Sequence, residues 1–168
     1  MANNYEEVNS TDEKILDNLM NDERYEHLKS YEINVKMFYK YGKYDKEGNL
    51  KTPALQKNGI PVPAVIKLVS AFNRITDDTD AKIVINKDLW DELTETERVS
   101  TIDNLLYAIQ IKEDKVGEPL YISEDSNKVQ LKLRKPDFFI EGFLDLLNLY
   151  KKEYLPWKDA ANISTKLD

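Results

Sequence analysis

Apolar residues recur at spacings of three and four between Val99 and Ile109, where Val99, Ile102, Leu106 and Ile109 share one helical face. Leu105 and Ala108 widen that stripe. Thr94 stands before it and Glu97 three residues on, the arrangement of a capping box. The pattern predicts a central core helix over about 95–111. Earlier, Ser10 and Glu13 form a second box, with Ser10 as the expected cap. Ile15, Leu16, Leu19 and Met20 then fall on one face of a helix reaching to about Lys29, and Tyr25 and Leu28 extend that face. From Ile33 to Lys40 the period changes to two: Ile33, Val35, Met37 and Tyr39 alternate with polar or aromatic neighbours, which predicts a half-buried strand.

Residues 43–59 are rich in Lys, Asn and Gly and read as an exposed loop or a ragged hairpin. Pro61 and Pro63 lead into Ala64–Ile75. Proline suits a first helical turn, and Val65, Leu68, Val69, Phe72 and Ile75 offer a helical stripe, so a second core helix is expected there. Thr76–Asp80 reads as a solvated polar turn, because it lacks the glycine and closing glutamate of a calcium loop. Lys82–Ile85 is a short strand, and Trp90 a core plug. Residues 119–123 and 129–133 are expected to pair as a hairpin around a turn at 124–127. A last helix opens near Pro136-Asp137 and carries Phe139, Phe143, Leu146, Leu147 and Tyr150. Residues 158–168 read as a polar tail.

Composition narrows the chemistry. The chain has 168 residues, a formal net charge of −7, one histidine and no cysteine. That excludes a disulfide framework and thiolate metal sites. His27 alone cannot supply the three or more ligands that zinc takes. Five glycines leave no phosphate-cradling loop, and no serine sits in a nucleophile elbow. The acidic balance argues against direct nucleic-acid binding; it serves solubility, or it docks on a basic partner. Lys128, Lys132, Arg134 and Lys135 form the one expected phosphate contact. The polar start predicts no secretory signal, and no apolar run reaches the roughly 20 residues of a membrane helix.

A strand at Lys82–Ile85, then Asn86-Lys87-Asp88-Leu89-Trp90, then the capped helix with Ile102-Asp103-Asn104-Leu105-Leu106-Tyr107-Ala108, resembles a family of phage metallopeptidases related to the SprT-like zincins. Gly59-Ile60-Pro61 ahead of the strand, and Tyr154-Leu155-Pro156-Trp157 near the end, add to the likeness, which covers about residues 33–157. The resemblance implies a zincin-like scaffold in which a His-Glu-x-x-His motif follows Asp103. Two histidines one turn apart would grip zinc there, and the glutamate would activate its water. In this chain Asn104 and Ala108 stand at the histidine positions and Leu105 at the glutamate position. Pro136 stands where the family would supply a third ligand.

The expectation is an α+β fold, zincin-like, with a small mostly antiparallel sheet and helices on one face. Residues 1–30 form a leader and amphipathic helix, 31–157 the zincin-like domain and 158–168 the tail. The degenerate site Asn104, Leu105, Ala108 and Pro136 implies neither metal nor cofactor, and a non-catalytic protein that binds another protein in the host cytoplasm. Met20 and Tyr25 on the first helix, or Tyr39, Tyr41 and Tyr44 further on, are the expected contacts. The alternatives are an acidic inhibitor of a host nucleic-acid enzyme or defence system, a virion or assembly component, and a residual hydrolase using Asp103, Asp137 and Glu141 with a hard metal.

Overall fold

The structure is a computed structural model and describes residues 5–135. It opens with β1, Tyr5–Glu7, which pairs antiparallel with a later strand. Part of the expected leader is therefore ordered backbone; three residues are too few to leave a periodic signal. α1, Ser10–Met20, is capped by Asn9 rather than Ser10, the Asn9 side chain accepting from the amides of Thr11 and Asp12. Asparagine and serine cap equally well; here Asn9 has the extended backbone of a cap, and Ser10 is already in the helix. The helix stops at Met20 instead of reaching Lys29. Asn21 bonds back to Asp17, Asp22 caps a single 3-10 turn at Glu23–Tyr25, and α2 follows at Glu26–Ser30. Side chains that compete for local backbone groups end helices in this way. β2 is Val35–Lys40.

Two small hairpins come next. β3, Lys43–Tyr44, pairs with β4, Leu50–Thr52, across a turn in which the Asp45 carboxylate accepts from the amides of Glu47 and Asn49. β5, Gln56–Lys57, pairs with β6, Ile60–Pro61, across Asn58-Gly59. Both turn residues have positive φ, the requirement of a tight hairpin turn.

The helix expected over Ala64–Ile75 is instead β7, Ala64–Leu68, followed by the short α3, Ala71–Asp77, with Ser70 as its cap. Ala64, Ile66 and Leu68 also alternate, and this second period prevails because β7 pairs with a buried neighbour. Phe72 and Ile75, expected in the core, are 75% and 57% exposed. That neighbour is β8, Ala81–Asn86. α4, Lys87–Trp90, leads to α5, Glu95–Tyr107, whose capping box at Thr94 and Glu97 is formed as expected. α5 ends at Tyr107, four residues early. Ile109 and Ile111 belong to β9, Ile109–Ile111, which pairs antiparallel with β10, Leu131–Leu133. Residues 119–123 form no regular strand, yet they pair with 128–130 as expected, through the Tyr121–Val129 bridge and the Ile122-to-Lys128 and Gln130-to-Leu120 backbone bonds; Leu131–Leu133 pairs with β9 instead. The last helix and polar tail lie outside the described residues.

The main sheet has the order β1-β2-β8-β7. β2 and β8 run parallel, and both outer pairs are antiparallel. One face carries Val35, Met37, Tyr39, Ala64, Ala81, Ile83 and Ile85. It packs on Leu16 and Leu19 of α1, Tyr25 and Leu28, Trp90, and Ile102 and Leu106 of α5. The segment before residue 31 thus contributes to this core. Val84 and Val65 on the opposite face meet Ala54 and Leu55 beneath the second hairpin. The result is an α+β protein with small, mostly antiparallel sheets.

Candidate functional site

α5 and the edge strand β7 flank a groove of about 600 Å³. Ser100, Thr101, Asn104 and Leu105 line one side, sharing a helix face through their spacings of three and four. Lys57 and the run Val62–Ile66 line the other. The size falls in the range of small-ligand clefts, and an edge strand offers unpaired backbone groups to an extended segment.

The expected degenerate positions divide. Asn104 is exposed and lines the groove; Leu105 lines it half-buried and packs against the core. Ala108 is not on the helix proper but at its C-cap. Its amide bonds to Leu105 and its carbonyl accepts from Arg134. Pro136, with Asp137 and Glu141, lies outside the described residues. Asp103 is engaged elsewhere: Arg24 donates to its carboxylate at 2.9 Å, and the Tyr25 hydroxyl donates to it and to its backbone carbonyl. Burial pushes the Tyr25 hydroxyl well above the usual tyrosine range, and its bond to Asp103 adds to the shift.

A zinc ion does not fit these residues. The groove presents an amide, an isobutyl group and small hydroxyls, and Asp103, next to Asn104 in the chain, is already paired with a guanidinium. Among the described residues no three His, Asp or Glu side chains converge as a metal set. His27 is exposed on α2 beside a separate cavity of about 300 Å³ that also touches Tyr31 and Gln110.

The expected contact residues are not one surface. Tyr25 and Tyr39 are buried, so they belong to the core rather than to a docking face. Met20 is half-buried, whereas Tyr41 and Tyr44 are exposed near β3. Tyr41 donates to Glu6 at 2.6 Å, and that bond, more than burial, raises its hydroxyl to about 12. Nor is the acidic turn at 76–80 wholly solvated. Asp80 is buried, accepts from Arg74 at 2.7 Å and from the Asn34 amide, and sits 3.4 Å from Lys128. Lys128 also bonds Asp78, so this lysine of the expected basic patch is already paired.

A buried carboxylate escaped the sequence reading. Asp12 accepts from the Tyr39 hydroxyl and, at 2.8 Å, from the Trp90 indole, while Arg98 stands 3.9 Å away. The signal was present: Asp12 lies four residues before Leu16, on the apolar stripe of α1.

These features define an α+β protein whose capped central helix faces an edge strand across an open groove. The chain matches the family described as "Putative phage metallopeptidase" over residues 4–163, and it belongs to that family. The match takes in residues before 33, which the resemblance had left out. No curated protein and no solved structure matches the chain.

Proposed function

We propose that this family member is non-catalytic and acts by binding another protein in the host cytoplasm, laying an extended segment of that partner in the groove between α5 and β7. The observation that carries this reading is the combination of an open groove beside an edge strand with Asn104, Leu105 and Ala108 at the positions where the family resemblance calls for zinc ligands and a base. Backbone pairing along β7 supplies affinity, and the side chains of Asn104 and Leu105 select among sequences. None of the described helices is long and apolar enough to cross a membrane.

The test is a peptide-display selection on the full chain, followed by hydrogen exchange with the best binder. Slowed exchange centred on 62–68 and 100–105 is the expected result. In parallel, hydrolysis of labelled casein is measured with zinc, manganese and magnesium. Turnover that depends on any of these ions overturns the proposal.

A further inference from the structure

The other face of the main sheet carries a feature that the groove does not use. Strand register places Lys36 beside Lys82, and Lys82 beside Lys67, so three lysines form one row across β2, β8 and β7. All three are exposed. Adjacent strands stand only about 5 Å apart, so the row sets like charges side by side, an arrangement that sheets normally avoid. One step along the strands, Phe38 is half-buried, and Tyr5 on β1 is exposed diagonally across from it. Lys82 lies over the Phe38 ring at 5.9 Å and Lys40 over the Tyr5 ring at 5.7 Å. A cavity of about 440 Å³ opens between these rings, Lys67, Lys82, and the polar Ser70 and Asn73. Glu7 stands on this face opposite Phe38, and Glu7, Glu13 and Asp17 line a separate cavity with Lys36, which also lies within electrostatic reach of Asp78. The charged side chains that line the 440 Å³ cavity, Lys67 and Lys82, are both positive, on a chain whose formal net charge is −7.

We propose that this face binds single-stranded nucleic acid. The lysine row meets consecutive phosphates, Tyr5 and Phe38 offer stacking surfaces to bases, and Ser70 and Asn73 face base edges across the cavity. Charge complementarity alone would suit any polyanion. Aromatic rings interleaved with the lysines favour bases, because stacking on a ring is available to every base and adds affinity that charge does not. Net charge argued against nucleic acid, but it averages the whole surface, whereas phosphate contact is decided locally.

The test is fluorescence anisotropy of the full chain with short labelled oligo(dT) and oligo(U) over a salt series. Binding is expected to weaken with salt. In a Lys36→Gln, Lys67→Gln, Lys82→Gln variant the slope of log affinity against log salt should fall by about two units, at roughly 0.7 per phosphate released. Tyr5→Ala should weaken binding about tenfold at unchanged slope, as loss of a stacking partner does. Melting curves check that the variants fold, and Lys67→Gln alone, which should lower the slope by about 0.7, serves if the triple variant does not. Absence of binding at low salt, or binding indifferent to these changes, overturns the proposal. So does equal competition by a glutamate-rich peptide, which would assign the face to an acidic protein. The groove is read separately, through Asn104 and Leu105 on α5, which line it and do not line this cavity.

Discussion

At the scale of single residues, Asp12 joins parts of the chain that lie far apart in sequence. Its carboxylate accepts hydrogen bonds from side chains on β2 and α4 and faces a guanidinium on α5. Arg98 in turn donates to the Trp90 carbonyl at 3.1 Å and lies 5.7 Å from the indole ring. Removing the carboxylate strands two buried donors at once, and each stranded donor costs about 1–3 kcal/mol. Asp12→Ala should therefore lower unfolding stability by about 3 kcal/mol in urea titration, with the indole emission shifting red. A loss below about 0.5 kcal/mol would mean that water replaces the carboxylate and that the network is incidental. Asp103 has a comparable role one face away, tying α5 to Arg24 and Tyr25. The family resemblance marked it as the residue that introduces a motif; here it fastens the central helix to the segment before α2.

At the scale of elements, legibility followed the length and clarity of the periodic signal. α5, β2 and β8 could be read because caps, alternation and burial agree. β7 could not, since five residues of an apolar run satisfy both periods and the deciding factor is a partner strand. The end of α5 was misplaced for the same reason: Ile109 continues the helical stripe but pairs with Leu133. The groove itself was half legible, through Asn104 and Leu105. Its β7 wall was hidden inside the misread helix, and the lysine row exists only once register is known. Two outcomes test the elements. Thr94→Ala should cost about 1 kcal/mol, read by urea titration, as loss of the helix cap does. Lys67→Thr removes one member of the like-charged row and adds a β-branched side chain, so stability should rise by about 0.5 kcal/mol. A gain in melting temperature with weaker oligonucleotide binding is the signature of a row kept for function. A fall in melting temperature would show that Lys67 stabilises the sheet instead.

At the scale of the whole molecule, two buried tyrosines make stability sensitive to alkali. Burial first, and then hydrogen bonding to Asp103 and Asp12, raises the Tyr25 and Tyr39 hydroxyls above their ordinary value of 10.0. The folded protein thus holds these protons more tightly than the unfolded chain. Their contribution is complete below pH 10, where both states are protonated. It is lost as pH rises from there through the raised folded values, because the unfolded chain ionises first. The two hydroxyls join different pairs of elements. One anchors the Arg24-Tyr25 turn to α5, the other anchors β2 to α1. Ionising either places a second negative charge against a carboxylate, so opening should be cooperative rather than local. Urea midpoints measured across this range should decline above pH 10. A Tyr25→Phe, Tyr39→Phe variant should be less stable at neutral pH, having lost two hydroxyl bonds, yet should decline less steeply in alkali. Parallel declines for the two proteins would assign the alkaline loss to the lysines and exposed tyrosines, and would remove these two hydroxyls as its cause.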